Sequence, residues 1–501
     1  MMHSVTQYLR RSAGRYPDHT AFADKKIVLN YSETLYYCER IACKLSNMGL
    51  FKRPVAIITE KGVSTVISML GIAMSGNYYT IIDEKMPASR VEKIFNTFKP
   101  VVVLTDRRNS TKANGYENII YEDIISNEIS DGQTVAESES KIIDTDILYV
   151  LFTSGSTGTP KGVIITHRSV LDYIEWAAET FSFGHETVFA NQAPFYFDNS
   201  VLDVYSTIRN GGTLYIPPQT VYSFPIRLLE FIRDNKINTV FWVPTVLCRI
   251  ADLNLLGKCD ISCLRKVLFA GEVMPARQLN EWIKNLPDAI FANLYGPTEI
   301  TVDCTYYIVD RDIRDDEPVP IGRACTNTDV MVLNEKNELV KVGEKGELCV
   351  RGSSLSFGYY NDPERTDKAF VQNPLNSIYR EIIYRTGDIV HYNDYGEIVF
   401  DGRADSQIKH SGHRIELGEI ETAALSDPGV TSCCCLHEPV SDKLVLFFAG
   451  GIEDVELKKH LAGMLSDYMI PNLFLKQDAL PLNQNGKIDR VLLKQKLNEI
   501  L

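Results

Sequence analysis

The run TSGSTGTPKG at positions 153–162 gathers glycines and hydroxyl residues and closes on Pro160, Lys161 and Gly162. Gly155, Gly158 and Gly162 permit backbone angles that turn successive N–H groups toward one anion. Ser154, Ser156, Thr157 and Thr159 add hydroxyl donors, Thr153 opens the run, and Lys161 supplies a point charge. That set suits a polyphosphate. A Walker A loop is excluded, because its lysine lies between a glycine and a Ser/Thr, whereas Lys161 follows Pro160 and precedes Gly162. Composition alone would equally describe a flexible surface loop. The apolar run 147–152 (ILYVLF) reads as a buried strand feeding the loop, and that context favours phosphate binding.

The elements that must carry such a loop follow from the period of the apolar residues. Strand-like runs at 55–59, 78–82 and 101–104 alternate with helical patterns at 63–75 and 90–97, the mark of βαβ units on a parallel sheet. Runs at 214–217, 239–243 and 266–269 repeat the pattern. From 318 to 400 short strands with Gly/Asn/Asp turns, including Asn393-Asp394-Tyr395-Gly396, predict an antiparallel subdomain. A new mixed α/β unit of about a hundred residues begins after Asp401-Gly402-Arg403. Residues 128–142, rich in Ser, Glu and Asp, read as a solvated loop.

At 501 residues the chain exceeds one compact core and predicts a large region plus a smaller one. A net charge of −13 repels polyanions, so nucleic acid is not the expected partner. There is no signal-like start and no run of eighteen apolar residues, which predicts a cytoplasmic protein without membrane insertion. The eleven cysteines are read as reduced thiols. Cys433, Cys434 and Cys435, with His437 close by, lack CxxC spacing and would alternate across a strand, so they are read as core and not as a metal site.

With the loop at 153–162, the motifs at 195–205 (FYFDNSVLDVY), 293–299 (NLYGPTE), 346–359 (GELCVRGSSLSFGY), 384–388 (YRTGD), 401–421 (DGRADSQIKHSGHRIELGEIE) and 481–490 (PLNQNGKIDR) resemble, in order, the adenylate-forming superfamily. That family includes acyl-CoA synthetases, firefly-type luciferases and the adenylation domains of nonribosomal peptide synthetases. The resemblance implies an α/β fold: an N-terminal AMP-binding domain at 1–402, with two α/β subdomains and a β-barrel-like part, hinged near Asp405 to a mobile α+β domain at 403–501. It implies ATP and Mg²⁺, with Glu299 helping to hold the metal. Residues 153–162 would take the β- and γ-phosphates and Thr298 the α-phosphate. Asn293, Leu294 and Tyr295 would lie at the adenine, and Asp388 and Arg403 at the ribose. Lys487 would be the catalytic cation of adenylation, its charge aimed at charge developing in the transition state. Lys409 and Gly412 would line the path of a thiol in a second half-reaction.

Asp198 separates the branches of this superfamily. It sits where amino-acid-activating members carry an amine-binding aspartate, and a carboxylate in an acyl pocket needs a cation such as an ammonium group. The bland reading is a helix N-cap. The resemblance adds Asn199, Leu202, Phe241, Leu268, Ala270, Leu294, Val302 and Asp303 as pocket residues, narrow enough for a small or medium side chain. Asp303 would ask for a hydroxyl or ammonium on that side chain. Overall the chain looks most like free-standing D-alanine–carrier protein ligases, departing from them at Ala270 and Asp303. No carrier or condensation motif flanks the core, so the expected acceptor is the phosphopantetheine thiol of a separate carrier protein. Three alternatives stay open: a D-alanine–carrier protein ligase specifically, an acyl-CoA synthetase using coenzyme A, and a nucleotide-binding protein without activity.

Overall fold

The computed structural model describes residues 2–113, 115–126, 132–155, 159–404, 407–410, 412–439, 441–482 and 488–500. It divides into two compact units. The first comprises 1–84, 98–151 and 162–404; the second comprises 85–97, 152–161 and 405–501.

In the first unit the alternation expected from sequence forms a six-stranded sheet whose core strands Val102–Thr105, Pro54–Ile58 and Tyr78–Ile81 run parallel. The helix Val63–Met74 provides one crossover. A second, nine-stranded sheet contains the parallel strands Val188–Asn191, Thr239–Trp242, Lys266–Ala270 and Ile290–Tyr295, closed by antiparallel Thr305–Ile308 and Arg323–Ala324. Side chains of a strand alternate between faces, and the two faces here feed different cores. Phe241, Leu268, Ala270, Ala292 and Leu294 join one hydrophobic cluster, whereas Val240, Trp242, Val267, Phe269 and Phe291 join another. Residues 328–403 form the expected antiparallel sheet of five strands. Its last hairpin turns at 393–396, where Gly396 N–H donates to the Asn393 carbonyl at 2.9 Å.

The solvated loop expected over 128–142 is corrected in part. Gly132–Ser140 is a helix, because Val135 is buried and Glu139 accepts from Arg10 at 2.5 Å and Thr6 at 2.7 Å. The polar composition belongs to one face of an amphipathic turn and not to a loop. Among the described residues no helix is long and apolar enough to cross a membrane.

The second unit joins three segments of chain. A hairpin of Gln407–His410 and His413–Glu416 leads into the helix Leu417–Leu425 and a sheet of Val430–Glu438, Lys443–Gly450 and Leu473–Lys476. Cys433 and Cys435 enter one core cluster and Cys434 the other, the alternation a strand dictates. Within this unit a buried ion pair joins Arg90 to Glu419, and the Ser89 hydroxyl donates to the Gly463 carbonyl at 2.9 Å.

Candidate active site

Register brings together, in the first unit, residues expected to line the acyl pocket. Phe241 pairs with Leu268, Leu268 with Ala292, and Ala270 with Leu294, so four side chains expected from sequence share one face near the carboxyl ends of their strands. Ligands of parallel sheets bind at that end. Leu202, fully buried on the helix Ser200–Asn210, and Val302 complete the same cluster. Asp198 and Asn199 lie half-buried just before that helix. Its N-cap position is Asn199 and no side chain caps it, so Asp198 is not the cap. Burial, then the charge of Asp198, holds the Tyr149 hydroxyl well above the usual phenol range. Asp198 acts in the same direction on buried Tyr173, after burial and Asp303.

The turn after Ile290–Tyr295 is tightly specified. A Cβ on Gly296 would lie 2.4 Å from the Val302 carbonyl oxygen, so only glycine fits there. Thr301 and Val302 hold φ of 59° and 74°, a left-handed conformation that costs a β-branched residue about 1–3 kcal/mol. This turn delivers Glu299, Val302 and Asp303. The Asp303 carboxylate accepts the Tyr173 hydroxyl at 2.6 Å and is 2% exposed. It thus has a donor within the protein, whereas the sequence placed a substrate group there. Tyr173 lies far upstream on the helix His167–Thr180, and no motif announced it.

The carboxylates expected at the nucleotide are equally built in. Asp388 pairs in register with Arg403, whose guanidinium meets one carboxylate oxygen while the Tyr295 hydroxyl donates to the other. The Thr386 hydroxyl accepts from the Asp388 backbone N–H at 3.0 Å, and its carbonyl accepts from Arg403 at 3.2 Å. Burial and the Asp388 charge push the Tyr295 phenol well up, which keeps it a donor. Glu299 is fully buried and accepts the Tyr359 hydroxyl at 2.7 Å. Thr298 is buried in the single turn Thr298–Ile300. The Asn293 amide donates to the Pro320 carbonyl at 2.8 Å.

Asp203, five residues beyond Asp198 in the same motif, was not singled out from sequence. It is fully buried and accepts from the Asn191 amide at 2.8 Å; Lys61 donates to the Gln192 carbonyl at 3.0 Å. Burial raises Asp203 to about 8 and lowers Lys61 to about 7, each opposed by the partner's charge.

In the second unit, Thr153 ends the strand Ile147–Thr153, its hydroxyl buried without a hydrogen-bond partner among the described residues. Ser154 donates to the Arg414 carbonyl at 2.7 Å, Gly155 follows, and Lys161 opens the strand Lys161–Thr166. Lys409 pairs with Arg414 in the hairpin, and Gly412 turns it with φ of 80°. Ser156, Thr157, Gly158, Asp405 and Lys487 lie outside the described residues.

Residues 9–360 match the AMP-binding enzymes as a family. Gramicidin S synthase 2 of Aneurinibacillus migulanus is 31% identical over 502 residues, covering 98% of this chain and 11% of that protein. This chain thus spans only a small part of the large synthases it matches. An L-proline–[L-prolyl-carrier protein] ligase of Pseudomonas fluorescens is 32% identical over 513 residues, covering 99% of this chain and 100% of that ligase. The solved structure of PA1221, a nonribosomal peptide synthetase protein containing adenylation and carrier domains, matches with a TM-score of 0.86 at 25% identity, covering 99% of this chain and 84% of that one. The chain belongs to the family of AMP-binding enzymes.

Proposed function

We propose that this chain activates a small amino acid with ATP as its aminoacyl-adenylate and passes it to the phosphopantetheine thiol of a separate carrier protein. In the first step a carboxylate oxygen of the amino acid bonds to the α-phosphorus, the bond to the bridging oxygen breaks, and pyrophosphate leaves. In the second the thiol sulfur bonds to the acyl carbon, AMP leaves, and the thiol proton passes to solvent. The observation that carries this reading is Asp198, half-buried just before the helix Ser200–Asn210, which carries Leu202 into the apolar cluster of Phe241, Leu268 and Ala270. A substrate ammonium is a matched partner for a carboxylate at that position. The full-length likeness to a carrier-protein ligase supports the thiol acceptor.

Chemistry of this kind rests on positioning and charge. Asp388 orients the ribose: ionised, it has about four acceptor sites, so two donors leave capacity for hydroxyls. The unpartnered Thr153 hydroxyl, the following Ser/Gly run and Lys161 take the phosphates, and Asn293 and Tyr295 flank the base. Mg²⁺ fits Glu299, because a hard cation prefers carboxylate oxygens and this carboxylate is buried and held by Tyr359. When bound, the ion would neutralise charge on phosphate oxygens. Lys487 would meet the reacting oxygens in adenylation. Asp405 would be the hinge between 1–402 and 403–501, and Lys409 and Gly412 would line the thiol path. Because Tyr173 already serves Asp303, the pocket does not require a polar substrate side chain. ATP–pyrophosphate exchange measured across D- and L-amino acids, with fatty and aryl acids as controls, tests the reading. Exchange with one small amino acid is the expected result, and exchange driven only by amine-free acids would overturn it.

A further inference from the structure

The second unit gathers three donor atoms that the reaction above does not use. His410 Nδ1 lies 2.9 Å from Asp442 Oδ1, and His437 Nε2 lies 2.7 Å from the same oxygen. All three ligand atoms fall within 4.8 Å of one another. We propose that His410, His437 and Asp442 form a binding site for one divalent transition-metal ion of the zinc type, which fastens the tip of the hairpin 407–416 to the neighbouring sheet.

Three separate pieces of backbone deliver these groups. His410 ends the strand Gln407–His410, His437 lies near the end of Val430–Glu438, and Asp442 sits in the turn before Lys443–Gly450. His413, paired with His410 in the hairpin, stacks on Tyr468 with ring centroids 3.7 Å apart and is not one of the three. Two imidazole nitrogens and one carboxylate oxygen make a donor set matched to zinc, nickel or copper and poorly matched to magnesium or calcium. The side chains of His410 and His437 are 8% and 15% exposed and that of Asp442 is 34% exposed, so the nitrogens lie inside while the carboxylate side faces solvent. That opening provides an entry path and room for a water as fourth ligand.

Both imidazoles meet the same oxygen, Oδ1, so three potential ligand atoms gather about one point. The turn does not demand the charge, since Asn tolerates the φ of 47° at Asp442 as readily as Asp does. At tetrahedral zinc distances the ligand atoms stand about 3.3 Å apart, so the observed contacts widen by roughly half an ångström on binding. The ring protons then reside on Nε2 of His410 and Nδ1 of His437, leaving the facing nitrogens as lone-pair donors with no net proton change for neutral rings.

The inference stands independently of the reaction proposed above, and so does its test. Chelator-stripped full-length chain is titrated with Co²⁺ and followed by visible absorption. The expected result is one equivalent bound with the d–d bands of a four-coordinate nitrogen/oxygen site, displaced by Zn²⁺. In His437→Gln and Asp442→Asn the affinity falls at least tenfold, with far-ultraviolet circular dichroism unchanged. Amide exchange across 407–416 should slow about tenfold with Zn²⁺ in the parent chain and not in His437→Gln. Absence of stoichiometric binding, equal affinity in the parent and both variants, or the intense near-ultraviolet band of a cobalt thiolate would each overturn the site.

Discussion

Asp198 and Asp203 lie five residues apart on one motif, yet their surroundings differ. Asp198 is half-buried, and Asp203 is sealed against Asn191 with Lys61 nearby. Asp198→Asn should raise the amino-acid KM about ten- to a hundredfold, the scale of one charge-assisted hydrogen bond, and leave the ATP KM and the unfolding midpoint nearly unchanged. Asp203→Ala should do the reverse, costing roughly 1–3 kcal/mol of stability by denaturant unfolding while the amino-acid KM holds. If both substitutions move the same quantity, the division is mistaken. Asp303 yields a finer test. Tyr173→Phe removes its donor, so the ratio of kcat/KM for serine or a diamino acid over alanine of the same chirality should rise several-fold. An unchanged ratio would place Asp303 away from the substrate side chain. That Leu202, Phe241, Leu268, Ala270, Leu294 and Val302 fall in one cluster was legible only through the family resemblance. Tyr173 was not, since its contact with Asp303 spans 130 residues and leaves no local periodicity.

Among the elements, the parallel strands and the antiparallel sheet were legible from their periods, since strand alternation and turn residues are local signals. The helix Gly132–Ser140 was not, because burial of Val135 arises only from packing. The triad His410, His437 and Asp442 was missed for a like reason: the spacing rules that dismissed the cysteine run say nothing of a histidine 27 residues before His437. The helix His167–Thr180 carries a different consequence. Thr166 caps it, and His167 Nδ1 accepts the Val5 N–H at 3.3 Å, which requires the neutral ring. Burial lowers His167 from 6.5 to about 4, outweighing the pull of Asp146 and Asp144. A histidine whose folded pKa is depressed contributes stability above its unfolded pKa and loses it as pH falls through the window from 6.5 to 4. The loss amounts to about 3 kcal/mol in all. Urea unfolding at pH 7 and pH 4.5 should therefore show a drop that His167→Asn, which retains an acceptor, largely abolishes; identical pH dependence in both chains would refute it.

Over the whole molecule, the two half-reactions should separate by mutation. If the charge of Lys487 serves only the first step, as proposed, Lys487→Ala should slow pyrophosphate exchange on the order of 10²–10³-fold and spare transfer from presynthesised aminoacyl-adenylate. Gly412→Val should act the other way, keeping exchange and impairing carrier loading; equal losses in both assays for either variant would defeat the assignment. The second unit is also discontinuous along the chain, with 85–97 and 152–161 grouped with 405–501. Its buried Arg90–Glu419 pair and its Ser154–Arg414 hydrogen bond each join residues on opposite sides of position 404. Recombination therefore has a hidden cost here. A chimera that grafts a relative's C-terminal segment at that junction inherits half of each contact from either parent, and a mismatched residue opposite Arg90 strands a buried guanidinium, a defect of about 3–5 kcal/mol. Productive crossovers should be those that carry residue 90 and residue 419 from the same parent.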